Sequence, residues 1–391
     1  MNNVLALLFF LLPVAAFSGW VLGRRRSERT SGARVNELST SYFRGLNYLL
    51  NEQQDKAIEV FLKLADINRD TVETHLALGN LFRRRGEVDR AIRVHQHLIA
   101  RPNLNQDEKT VALLELGEDY MRAGLLDRAE TLFTDLVAMD ALAPSALKHL
   151  IGIYQHERDW NKAIENAQRL QQATGESQGA VIAQFHCELA ELARAQGARE
   201  DAYVHVADAF AVEPECVRAN MIEGHLESAA GHLDAAIHAF ERVAELDVDY
   251  VPEILSPLLD CYARAQHMQR AEDFLLRVTE RYQGVSPVLA LAKMYTTTRG
   301  EVAAVEFLNR ILRQRPSVRA LMALIDMSLH TASGEARENF LILRDLTRKL
   351  VEGKAMYRCT QCGFGAKAHH WQCPSCKNWG TVRPIHGVVG E

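Results

Sequence analysis

"LALGNLFRRRGEVDRAIRVH", from Leu76 to His95, decides the fold. Aligned on the alanine of its "DRAI", the chain offers the same phase at Ala57, Ala91, Ala129, Ala163, Ala202, Ala236, Ala271 and Ala304, in steps of 34, 38, 34, 39, 34, 35 and 33 residues. Self-similarity at this period marks a two-helix unit that stacks on its neighbours.

Other positions keep the register. Twelve residues before the alanine stand Gly45, Gly79, Gly117, Ala190, Gly224 and Ala292, small enough for two helices to approach closely; the fourth unit has Ile151 there instead. Nine before it stand the aromatics Tyr48, Phe82, Tyr120, Tyr154, Tyr262 and Tyr295. Five before it, Gly86, Gly124, Gly197 and Gly231 suit a left-handed turn that ends the first helix. Pro214 and Pro316, twelve after it, mark breaks between units, with Pro102 and Pro144 close to that phase. The pattern resembles the tetratricopeptide (TPR) repeat over Leu38 to Leu329. An array of such units buries a continuous core and leaves an extended binding surface, which points to holding another protein rather than to catalysis.

The resemblance to TPR arrays implies that the first helix of each unit lines the groove. Asn80, Arg83, Arg84, Glu118 and Arg122 would then face a partner, and the arginines could grip an acidic segment through guanidinium–carboxylate bonds. A solvated helix end whose cations complement the helix dipole explains "RRR" at Arg83 to Arg85 equally well. Catalytic signatures are thin: "SALK" at Ser145 to Lys148 lacks its companion motifs, and His186 and Cys187 are sequence neighbours on a helix and do not face each other. The reading is of a protein that is not an enzyme.

Outside the repeats, two segments carry the remaining information. Residues 4 to 22, "VLALLFFLLPVAAFSGWVL", hold no charge, and their length suits a helix across a hydrocarbon layer of about 30 Å. Arg24, Arg25 and Arg26 follow the apolar run rather than precede it, so the positive-inside rule predicts an uncleaved single-pass anchor over residues 1–23, a basic linker over 24–37, and the bulk of the chain on the cytoplasmic side of the membrane. At the other end, Cys359, Cys362, Cys373 and Cys376 form C-x2-C-x10-C-x2-C. Two turns offering two thiolates each can close a tetrahedral site for one metal ion, and both zinc and iron suit it. His369 and His370 are read as lying outside that shell.

Tyr357, Phe364, Trp371 and Trp379 would supply a small core for a metal ribbon over residues 357–383, and a helix over 335–354 would cap the repeats of 38–330 and hold the ribbon. Rings beside Lys367, Lys377 and Arg383 could stack on nucleic acid, but the 391-residue chain has a net charge of -5, which favours core packing and no nucleic-acid partner. Cys187, Cys216 and Cys261 read as small buried hydrophobes. Ten prolines and 23 glycines without a low-complexity tract argue for a mostly folded chain.

The expected fold is thus an all-α TPR solenoid of about eight helix-turn-helix repeats, with an N-terminal transmembrane helix and a small C-terminal rubredoxin-like zinc ribbon. "LLPVAAFSGW", "QQDKAIEVFL", "LGNLFRRRGEVDRAIR" and "WQCPSCKNW", in that order, resemble the lipopolysaccharide assembly protein B family end to end. That resemblance implies an inner-membrane adaptor that promotes degradation of the lipid A deacetylase LpxC by the protease FtsH. The alternative is a scaffold that gathers lipopolysaccharide synthesis and export proteins without a proteolytic role. A homodimer is compatible with either.

Overall fold

The computed structural model describes residues 40–41, 43–48, 51, 53–67, 72–388 and 390–391. They form antiparallel helical hairpins in succession, with one small sheet near the C-terminus, and divide into two compact units at residue 157/158.

All eight phasing alanines are fully buried. The reason lies one helical turn further on. A Cβ on Gly45 would meet the Phe61 ring at 2.9 Å, one on Gly117 the Phe133 ring at 2.5 Å, and one on Gly224 the Phe240 ring at 2.7 Å. Each aromatic stands four residues after its alanine, so the small residue of the first helix is a seat for the ring of the second. The second unit puts His95 in that place, with Gly79 beneath it. Gly86, Gly124, Gly197 and Gly231 all have positive φ, as the turn between the two helices requires. Arg158 and Gln266 hold the same turn at φ 60° without being glycine.

The first unit contains the hairpins Val72–Arg84 with Val88–Ile99 and Gln106–Arg122 with Leu126–Ala138, followed by helix Ala143–Glu157. Asn105 starts the second of these hairpins with a capping box, its side chain accepting from the Glu108 N–H while Glu108 reaches back to the Asn105 N–H. Buried here, Asp119 binds His95 Nδ1 at 2.5 Å and Arg83 at 2.8 Å.

In the second unit the hairpins continue through Gly179–Ala195 with Arg199–Val212, Val217–Ala230 with Leu233–Leu246, Val251–Arg264 with Met268–Arg281, and Ser286–Thr298 with Glu301–Gln314. Helix Val318–Thr331 then pairs with Gly334–Val351, so the helix expected as a cap over 335–354 forms the second half of a further hairpin. Cys187, Cys216 and Cys261 are buried in the core, in line with their reading as small hydrophobes. The ribbon follows as a three-stranded antiparallel sheet, β1 (Tyr357–Cys359), β2 (Gly365–Ala366) and β3 (Val382–Pro384), in the order β2-β1-β3.

One expectation is corrected. The described residues form an all-helical TPR-type solenoid with a small C-terminal zinc ribbon, and among them no helix is long and apolar enough to cross a membrane. The physical reason is visible in Gly334–Val351, the longest of them at 18 residues, where Glu335, Arg337, Glu338, Arg344, Asp345, Arg348 and Lys349 interrupt the apolar positions. The anchor read at residues 1–23 lies outside the described residues, and the inner-membrane, single-pass placement that rested on it is withdrawn.

Candidate metal centre

The ribbon is built on two matching knuckles. Gly363 N–H donates to the Cys359 carbonyl at 3.0 Å, and Lys377 N–H donates to the Cys373 carbonyl at 2.9 Å. Each closing residue takes a positive φ, 77° at Gly363 and 60° at Lys377. The turns bring four sulfurs within 4.8 Å of one another, with Cys359 to Cys376 and Cys362 to Cys373 both at 3.7 Å. A tetrahedron of sulfurs around a metal at ~2.3 Å has edges of about 3.8 Å, so the four thiols fit a single metal ion. Four thiolates complete such a shell and leave no position for a substrate, which makes it a closed, structural type of site. Asn378 Nδ2 donates to Cys376 Sγ at 3.4 Å, and Thr381 Oγ1 lies 3.3 Å from Cys359 Sγ. The Thr381 hydroxyl and neighbouring backbone N–H groups hold the Cys359 thiol down at about 6, favouring the thiolate a metal needs.

The four expected core aromatics divide between two tasks. Tyr357 and Phe364 pack on Cys359, Cys373 and Val382 inside the ribbon. Trp371 and Trp379 turn outward to the helices. Trp371 stacks on Tyr250 with ring centroids 4.9 Å apart and planes 13° apart, and Trp379 meets Trp160 and Phe185 edge-on at 6.2 and 6.1 Å. Between the two tryptophans sits Arg218, 5% exposed, its guanidinium 5.4 Å from one ring and 5.9 Å from the other, with Glu188 2.9 Å away. Ring faces and one carboxylate thus hold a cation withdrawn from water.

Polar contacts complete the dock. The Tyr357 hydroxyl donates to Glu253, Arg383 pairs with Asp247 over the Tyr250 ring, and His386 Nε2 lies 3.2 Å from Asp249. Beyond β3, Glu391 accepts from the first N–H of helix Ser286–Thr298 at 2.9 Å and pairs with Arg319. Phe185, Arg218, Glu253, Ser286 and Arg319 are spaced by 33, 35, 33 and 33 residues. The ribbon and its tail therefore meet the first helix of five successive hairpins, at the helix start in the last four and at the seventh residue, Phe185, in the first. Their named partners lie on these helices, at Trp160 on helix Trp160–Thr174 and in the loop before Val251, not on Gly334–Val351, which was expected to hold the ribbon. No feature of the sequence singled out these dock residues; only their shared phase, once the ribbon's path is seen, groups them.

His369 is half-buried among Tyr250, Tyr357 and Trp371 and is not one of the four-sulfur set; His370 is exposed. Burial, with His370, Arg383 and Arg218 nearby, pushes the His369 imidazole down to about 4. Arg383, one of the cations weighed for nucleic acid, is engaged in the dock.

The expected groove residues lie in the first unit. Arg83, Arg84, Glu118 and Arg122 line one surface cavity with Met121 and His149, while Asn80 is not among its lining. They are not equivalent. Arg83 is 16% exposed and fixed by Glu115, Glu118 and Asp119, whereas Arg84 and Arg122 are exposed. His149, 3.2 Å from Glu118, and Arg83 hold the Glu118 carboxyl below its ordinary range.

Residues 357–384 match a family described as the rubredoxin metal binding domain, and residues 114–180 and 223–286 match the tetratricopeptide repeat family. Over 388 residues the chain is 39% identical to lipopolysaccharide assembly protein B of Escherichia coli K12, covering 99% of this chain and 100% of the relative. The protein of the same name from Haemophilus influenzae is 35% identical over 391 residues, covering 98% of each. Among solved structures, the C-terminal part of a TPR repeat-containing protein from Cytophaga hutchinsonii aligns with a TM-score of 0.40 at 14% identity, over 70% of this chain and 94% of that one. With two relatives above 30% identity along their whole length, this chain belongs to the lipopolysaccharide assembly protein B family.

Proposed function

We propose that this chain is a non-catalytic adaptor in lipopolysaccharide assembly, and that it acts by promoting FtsH-dependent degradation of the lipid A deacetylase LpxC. The observation that carries the coarser part is whole-length kinship with proteins named for lipopolysaccharide assembly. The TPR hairpins supply an extended surface for a partner. Arg84 and Arg122, exposed beside the fixed Arg83–Glu118 pair, offer cations to an acidic stretch of client, and Asn80 lies on the same helix as Arg84. Holding client and protease on one chain raises their mutual effective concentration, so modest affinity for each suffices.

In this reading Cys359, Cys362, Cys373 and Cys376 hold a zinc or iron ion whose task is structural. The metal replaces the core that so small a sheet lacks, and the docked ribbon ties successive hairpins together. The test follows LpxC lifetime after protein synthesis is blocked, in cells with the chain, without it, and with Cys359→Ser plus Cys362→Ser. Faster loss with the intact chain only is the expected result. An unchanged lifetime in all three, with lipopolysaccharide assembly proteins still copurifying, replaces the adaptor by the scaffold.

A further inference from the structure

A second cluster of metal-ligating groups lies away from the ribbon. His186 is on helix Gly179–Ala195, and His205 and Asp208 are three residues apart on helix Arg199–Val212, the other half of the same hairpin. The three-residue spacing puts the last two on one face, turned toward the first. One ligand atom from each of the three side chains falls within 4.8 Å of the others. Asp208 Oδ2 is 3.7 Å from His186 Nδ1 and 3.9 Å from His205 Nδ1, and the two imidazole centroids are 6.0 Å apart.

These distances are too long for hydrogen bonds. Both Nδ1 atoms are buried and have no hydrogen-bond partner among the described residues. Two orphaned ring nitrogens converging on one carboxylate form a costly arrangement unless something shared fills the space between them. Bonds of about 2.1 Å to nitrogen and oxygen at tetrahedral angles separate the donor atoms by about 3.4 Å, slightly less than the spacing found. Small side-chain rotations close the difference. Asp208 is half exposed and His186 nearly enclosed, so an ion enters from the carboxylate side.

We propose that His186, His205 and Asp208 form a second metal site, for a divalent transition ion of the zinc class. Two imidazoles and one carboxylate suit Zn2+, Ni2+ or Co2+ better than Mg2+ or Ca2+, which favour all-oxygen shells. Three protein ligands leave at least one coordination position to water, unlike the closed sulfur site of the ribbon. All three ligands come from one hairpin, so the site needs no other repeat and no second chain. Ion binding there clamps the two helices of that hairpin and stabilises them by an amount that grows with the logarithm of free ion above its dissociation constant.

The experiment uses the full chain with its ribbon metal in place, dialysed free of loose ions and titrated with Zn2+ by calorimetry, then with Co2+ by absorption. The expected result is one further equivalent of Zn2+ per chain, weakened at least tenfold in His186→Gln and in His205→Gln. The added Co2+ should give weak d–d bands without the intense sulfur charge-transfer absorption of a thiolate site. Asp208→Asn, at a half-exposed position, guards against misfolding in the histidine variants and should weaken the second equivalent with helical circular dichroism unchanged. No further equivalent in the wild type overturns the site. So does a second equivalent of undiminished affinity in both histidine variants, or one with thiolate bands.

Discussion

Gln266 illustrates how a single residue departs from its repeat. It occupies the left-handed turn position where four other units have glycine, with φ 60°. A side chain there costs roughly 1 kcal/mol. Gln266→Gly should therefore raise stability by about 0.5 to 1 kcal/mol, read as a higher midpoint in urea unfolding. Arg83 departs in the opposite sense. Its sequence context, "RRR", reads as either a partner grip or a solvated helix end, yet its guanidinium binds the fully buried Asp119, which also holds His95. Removing one partner of a buried pair leaves the other charge uncompensated. Arg83→Ala should cost about 3 kcal/mol, while Arg84→Ala changes stability little; equal effects in thermal unfolding would refute this distinction. Period and composition could not separate the two arginines, because the difference depends on Glu115, Glu118 and Asp119 more than 30 positions away.

At the scale of elements, the ribbon is the clearest case of a structure legible in its parts but not in its placement. Two C-x2-C pairs announce two knuckles, and the knuckles put the sulfurs at tetrahedral spacing. The same residues gave no sign that Trp371 and Trp379 would leave the ribbon core for Tyr250, Trp160 and Phe185. His369 sits at that junction, and its burial there should make docking pH-dependent. Its value in the docked state is about 4, below the ordinary 6.5, so docking disfavours the charged imidazole. The contribution to docking is complete above 6.5 and is lost as pH falls from there toward 4, to a ceiling of about 3 kcal/mol. Acidification from pH 7.5 to 5 should loosen the ribbon, seen as a change in tryptophan emission at constant helicity. His369→Asn should flatten that profile; an identical profile in the variant would assign the effect to other groups.

For the whole molecule, function rests on which surface a partner reaches. Arg84 and Arg122 are exposed in one cavity of the first unit. Arg84→Glu combined with Arg122→Glu should lengthen LpxC lifetime toward that of cells lacking the chain, with circular dichroism and ribbon metal content unchanged. Loss of helicity in that variant would place the two arginines in the fold rather than the groove.

The sequence by itself determined the hairpin period, the eight buried alanines, the glycine turns and the four-thiol cluster. Each of these depends on chemistry within one unit or between two neighbouring knuckles: a ring needs a small seat, a left-handed turn favours glycine, a metal shell needs four donors. Only the tertiary structure decided that His95 would take a ring's place over Gly79, that the ribbon would lie across the first helices of five hairpins, and that His186 would meet His205 and Asp208. These are contacts between segments far apart in the chain or on facing helices. They are fixed by how helices pack, and a one-dimensional period carries no record of which faces will meet.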